Sequence, residues 1–118
     1  MSSTLKIEQY GFGHMTIGGQ PYEEDVIVFP DRVMAGWWRR EGHSLGVEDL
    51  KDVFQFDPDV LVVGTGASGR MGIPEETRKA IEQQGIKLES HSTGKAAEVF
   101  NEYVEKKENV AGAFHLTC

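Results

Sequence analysis

The feature that most constrains this chain is a set of short β-branched runs separated by helix-period segments. Asp25-Val-Ile-Val-Phe29, stopped by Pro30-Asp31, and Val60-Leu-Val-Val63, opening onto Gly64, are continuous apolar stretches too short for helices. They read as strands buried on both faces, and Asp25–Phe29 is expected to sit centrally. Ile86-Lys-Leu-Glu89 and Val110-Ala-Gly-Ala-Phe-His-Leu116 add two more strands. Between these runs the apolar spacing changes. Val47, Leu50, Val53 and Phe54 mark a short helix broken by Asp57-Pro58-Asp59. Pro74-Glu75-Glu76 opens a second helix, and Gly85 is its expected left-handed stop. Ser92 or Thr93 caps a third, whose Ala96, Ala97, Phe100, Tyr103 and Val104 make one face. Ahead of all this, Leu5–Glu8 and His14–Ile17 read as strands, with Gly18-Gly19 as a hairpin signal.

The order β-β-β-α-β-α-β-α-β implies crossover connections. Part of the sheet is therefore parallel, with helices packed against it. The expected fold is a single compact three-layer α/β domain over residues 1–118, with a mixed sheet and hairpin strands at its N-terminal end. At 118 residues the chain is long enough for one real core and too short for two packed domains. Residues 32–46 show no period and contain both tryptophans.

Charge and cysteine usage exclude several function classes. Lys plus Arg is 12 against 19 Asp plus Glu, a net charge of −7, and the densest basic spot, Arg39-Arg40, is followed at once by Glu41. Nucleic acid is not the expected partner, because such binders cluster cations against phosphates. The only cysteine is Cys118, so neither an internal disulfide nor a Cys-x-x-Cys metal or dithiol site can form. No apolar run is longer than Val60–Val63, far short of the ~20 residues that span a bilayer. A cytoplasmic protein without a membrane segment, monomeric or weakly self-associating, is expected.

Three segments carry chemistry. Gly64-Thr-Gly-Ala-Ser-Gly69 has G-x-G-x-x-G spacing after a strand, and Glu89 follows where a dinucleotide site holds a ribose-binding acid. The best helix start, however, is Pro74, whereas a phosphate cradle needs the helix to begin inside the glycine run. The loop therefore reads either as a seat for a small anion or polar ligand, through Gly64, Thr65, Gly66 and Ser68, or as a turn that needs glycine for packing. In Gly36-Trp-Trp-Arg-Arg-Glu-Gly-His43, Arg39 offers a planar fork for an anion and Trp38 a flat wall, with His43 nearby. Adjacent tryptophans in an extended segment face opposite ways, so one enters the core and the other lines a cleft. His115 reads as a buried strand histidine that can face the glycine loop. Cys118 next to its own carboxylate is a poor nucleophile. No catalytic set, metal ligand set or cofactor is expected.

These segments also carry a resemblance. Tyr22 with Asp25-Val-Ile-Val, Trp38-Arg39 followed by Gly42-His43, Leu61-Val-Val-Gly-Thr-Gly66, and Phe114-His-Leu-Thr-Cys118 together resemble a small α/β family first described from an archaeal hypothetical protein. Its relatives include the mammalian adipogenesis-associated domain protein and a mitochondrial assembly factor for respiratory complex I. The resemblance implies a three-layer fold around a mixed sheet and brings no agreed activity or cofactor. The roles of those two relatives are their own. The expected function is a non-catalytic binding or assembly-type module. The alternative is an enzyme or carrier for a small anionic metabolite, using Gly64–Gly69 with Arg39. The partner is accordingly either an unknown protein or a small anionic ligand.

Overall fold

The computed structural model describes residues 5–117; the reading of Cys118 lies outside the described residues. The chain begins with an antiparallel meander of β1 (Ile7–Gly11), β2 (His14–Ile17) and β3 (Gln20–Tyr22). Gly18 and Gly19, both at positive φ, make the β2–β3 turn. A second hairpin follows, β4 (Val26–Phe29) and β5 (Arg32–Ala35). A 3-10 turn (Val47–Leu50) runs into α1 (Lys51–Phe56), which Asp57 ends in a left-handed conformation. Then come β6 (Val60–Thr65), α2 (Glu75–Gln83), β7 (Lys87–His91), α3 (Thr93–Glu105) and β8 (Val110–His115).

β4 to β8 form one mixed sheet in the order β5-β4-β8-β6-β7. β6 is parallel to β7 and β8, and β4 is antiparallel to β8 and β5. Side-chain parity divides this sheet between two cores. Val26, Val28, Val60, Val62 and Phe114 face α3 and the meander, meeting Phe100, Val104, Met15 and Ile17. Ile27, Phe29, Leu61 and Val63 face the other way, against Leu45, Leu50, Val53 and Ile81. The three layers are thus α3 with the small sheet, the large sheet, and α1 with α2. β8 can lie at the centre because its middle is small. A Cβ on Gly112 would run into the ring of Phe114, and Phe100 stands 3.0 Å from it.

Two strands escape the sequence reading. β3 contains Pro21, which hides it, since proline is tolerated only at sheet edges and bulges. β5 is four residues within a stretch that shows no period, and only Val33 and Met34 in it are half-buried apolar positions. Asp25–Phe29 is buried as expected, but it lies beside the central strand, which is β8. It also runs antiparallel to β8 and hence opposite to Val60–Val63. Parallel strands would bring the Trp-Arg segment and the glycine loop to a shared edge directly, but β4 and β6 run in opposite directions. The shared edge arises instead because the β4–β5 hairpin turns the chain back. Among the described residues no helix is long and apolar enough to cross a membrane.

Candidate functional site

The sheet topology brings three distant segments to one edge. β4 and β8 are antiparallel with Val26 opposite Phe114, so Asp25, just before β4, meets His115 at the end of β8. β8 and β6 are parallel with Thr65 opposite His115, so the glycine loop leaves from the same edge. β5 returns the chain there too, and the Trp37 amide donates to the Asp25 carbonyl at 2.8 Å.

Asp25 is the hub. Its Oδ1 accepts the Leu116 amide at 2.8 Å. Its Oδ2 lies 2.8 Å from His115 Nδ1 and 2.8 Å from Arg39 Nη2. Arg39 Nη2 also donates to the Gly42 carbonyl at 3.1 Å and stands 2.9 Å from His115 Nδ1. The carboxylate is satisfied when Nδ1 carries the proton, because ring and guanidinium then both donate to it. Burial pushes the Asp25 carboxyl pKa up, but the Leu116 amide, His115 and Arg39 together outweigh it and hold the group below its ordinary value. The same burial, with the Asp25 charge, raises Tyr10, whose hydroxyl donates to the Leu116 carbonyl. Arg39 has a side chain only 4% exposed, and its guanidinium lies 4.7 Å from the Trp37 ring. His43 packs edge-on against His115, with ring centroids 5.9 Å apart.

The glycine loop joins this cluster through Thr93 at the start of α3. Thr93 Oγ1 donates to the His115 carbonyl at 2.6 Å and accepts the Gly66 amide at 2.8 Å. Other loop amides are committed as well. Ala67 donates to the Thr117 carbonyl at 2.7 Å, Gly69 to Gly66 at 3.1 Å and Met71 to Thr65 at 3.0 Å. A phosphate cradle needs such amides free and aimed at the anion, and the next helix starts only at Glu75. The loop is thus built as a packed turn. Gly66 and Gly69 hold positive φ, and a Cβ on Gly64 would come within 3.2 Å of the Thr93 backbone. Glu89 is paired with Val62 along β7 and bonded to Tyr103 and His91, away from the loop.

Of the residues singled out from sequence, the fold gathers Arg39, His43 and His115 and sets Thr65 beside them by register. Gly64 and Gly66 are buried against α3, whereas Ser68 is exposed at the turn. Trp38 does not wall Arg39; Trp37 does. Trp38 is 77% exposed. Asp25 and Thr93 were not singled out as site residues, and the sequence left open which of Trp37 and Trp38 turns inward. The clue for Asp25 was an acid directly before an apolar strand, within reach of a basic segment.

The Asp25–His115 pair lacks an adjoining nucleophile among the described residues. Thr65 Oγ1 donates to the His91 carbonyl and Thr93 Oγ1 to that of His115, neither to the imidazole. No three His, Cys, Asp or Glu side chains among the described residues stand together as metal ligands.

What the cluster does hold is the segment after it. Trp37 Nε1 donates to the Asp49 carbonyl at 3.0 Å, and the Asp49 carboxylate accepts the Arg40 amide at 3.2 Å. Trp38, between these anchors, stands over an open groove of about 570 Å³ whose lining includes Met34, Ala35, Gly36 and Trp37. Fold and site together define a small α/β domain with a buried charge cluster and a displayed aromatic.

The chain belongs to the family described as protein of unknown function (DUF498/DUF598), whose model matches residues 7–115. It is similar to a conserved hypothetical protein from Pyrococcus horikoshii, at 28% identity and TM-score 0.81 over 96% of this chain and 99% of that one. A Rhodopseudomonas palustris protein is also 28% identical, with TM-score 0.75 over 92% and 80%. A Bordetella pertussis protein described as an Mth938-like domain shares the fold at 18% identity, TM-score 0.77, over 98% and 88%. The family expected from the sequence, first described from an archaeal hypothetical protein, is therefore the one the chain belongs to.

Proposed function

We propose that this chain is a non-catalytic binding module that docks a macromolecular partner on the face carrying Trp38. The observation that carries the reading is the contrast along three consecutive residues. Trp37 and Arg39 are fixed inward by the Asp49 carbonyl and the Asp25 carboxylate, while Trp38 between them is 77% exposed. An exposed large aromatic whose two neighbours are anchored has its backbone already placed and offers a large apolar area, as interface hot spots do. The open groove beside it suits a partner surface rather than an enclosed small molecule. We assign the module to the cytoplasm, on a chain with one cysteine and no apolar run longer than Val60–Val63.

A second reading, a small anionic ligand at Arg39, has one specific observation in its favour. Arg39 Nε and Nη1 and His115 Nε2 are buried with no hydrogen-bond partner among the described residues, and buried polar groups are rarely left so. The glycine loop would contribute little, since its Gly66, Ala67 and Gly69 amides already have partners within the protein.

Photo-cross-linking in cells separates the two. A photoreactive residue at position 38 should capture one defined macromolecule, and the same residue at Phe12, exposed on the β1–β2 turn, should not. Equal capture at both positions would remove the case for Trp38. Capture at neither, with thermal stabilisation by a small carboxylate or phosphate that Arg39→Met abolishes, would favour the second reading.

A further inference from the structure

We infer that the occupant of the Trp38 groove is an extended, basic segment of another protein that adds to the sheet as a strand along β5; this rests on the binding reading above. Among the described residues β5 is the last strand on its side and pairs with β4 alone. Phe29 and Arg32 flank the two-residue turn Pro30-Asp31 and pair directly, the position at which an antiparallel hairpin closes with a hydrogen-bonded pair. Bonding alternates from there. Arg32 and Met34 bond inward to β4, and Val33 and Ala35 turn their N–H and C=O groups outward. Arg32, at the turn end, is the one charge on this edge, and Val33, Met34 and Ala35 follow it without another.

The two sides of this edge differ in chemistry. Met34 packs with the cluster that includes Trp37, and with Ala35 it lines the groove under Trp38. Val33 packs with the cluster that includes Tyr22. On that side a second hollow is lined by Pro21, Tyr22, Glu23, Glu24 and again Ala35. Both glutamates are exposed, and among the described residues no cation lines that hollow. Side chains of an added strand alternate between the two sides. Those on the Met34 side meet the Trp37 and Trp38 rings and want to be apolar there, in a groove that Arg40, Lys51 and three carboxylates also line. Those on the Val33 side meet Glu23 and Glu24 and want to be Lys or Arg. The net charge of −7 draws a basic segment from further off.

The probe is a random-peptide display library panned on the whole chain, followed by affinity measurements on the recovered peptides. The expected consensus alternates apolar and basic residues. Ala35→Pro removes an outward N–H from an edge strand, where proline is tolerated. It should weaken binding by at least about tenfold with the thermal midpoint retained. Reversing Glu23 and Glu24 to Lys should weaken the same peptides comparably and shift selection to acidic ones. N-methylation at alternate peptide amides should abolish binding and leaves the protein untouched, so the answer survives if Ala35→Pro fails to fold. Peptides that lose affinity in Trp38→Ala but ignore Ala35→Pro and N-methylation would overturn strand addition and leave the binding reading intact. Peptides indifferent to Trp38→Ala as well would overturn both. An acidic or helical consensus, no enrichment at all, or self-association of the chain that Ala35→Pro abolishes would each overturn the proposed occupant.

Discussion

The Asp25 carboxylate and the His115 imidazole, 90 positions apart in sequence, meet at 2.8 Å because β4 and β8 run antiparallel side by side. Arg39 completes the group at 2.8 Å from the same carboxylate oxygen. The cluster fixes the end of the sheet and, through Arg39, the orientation of the tryptophan segment. Function on this account lies in what the cluster holds out to solvent rather than in proton transfer.

Removing the carboxylate should therefore be costly. Asp25→Asn leaves the Arg39 guanidinium buried without a counter-charge, and the expected loss is about 3 kcal/mol in urea unfolding. Arg39→Met should cost less. Asp25 would keep the Leu116 amide and His115, and its side chain is 18% exposed to water. Equal stability of Asp25→Asn and parent would mean the ion pair contributes nothing.

The same carboxylate sets a pH dependence. Its pKa is lower in the folded protein than unfolded, so its contribution is present above the unfolded value of ~3.9 and is lost as pH falls from there through the folded value. Urea midpoints of parent and Asp25→Asn should converge as acid is added below that point. Glu89 and Glu105 are also lowered, by Tyr103 and by Lys6 respectively, so the difference between the two curves is the informative quantity. A gap that stays constant down to strong acid would contradict the assignment.

The two neighbouring tryptophans should behave oppositely. Trp37→Ala removes a half-buried ring, its bond to Asp49 and its stacking under Arg39, and should cost about 2–3 kcal/mol. Trp38→Ala should change stability by less than about 0.5 kcal/mol. Thermal unfolding of the two variants measures this directly.

The glycine loop provides a fourth test. At Gly64 a Cβ would lie 2.8 Å from the Phe114 ring and 3.2 Å from the Thr93 backbone, so Gly64→Ala should cost about 2 kcal/mol by overpacking. Gly66 has φ of 106°, and Gly66→Ala should cost about 1 kcal/mol through backbone strain. A phosphate-binding loop would show the opposite pattern, tolerated substitutions with lost ligand affinity.

Strands β4, β6 and β8 were readable because burial on both faces forces unbroken apolar runs. β3 and β5 were not, since an edge strand of three or four residues, one with a proline, carries no period. At the site, Arg39, His43 and His115 stood out by residue type. Asp25 did not, because its role depends on a hairpin return that nothing near it in sequence specifies. Nor could the sequence say which tryptophan turns inward. That choice is made by the Asp49 carbonyl, 12 positions on. The G-x-G-x-x-G spacing suggested an anion seat or a packed turn; its Gly66 and Ala67 amides are taken by Thr93 and Thr117, segments far along the chain.

Amide hydrogen exchange on the whole chain, alone and in the complex captured at position 38, tests the central claim most directly. The account predicts new protection confined to Arg32–Ala35 and the Trp37–Arg40 segment, with the β1–β2 turn and β7 unchanged. Protection on β7 or the glycine loop, with Trp37–Arg40 left as it was, would contradict it.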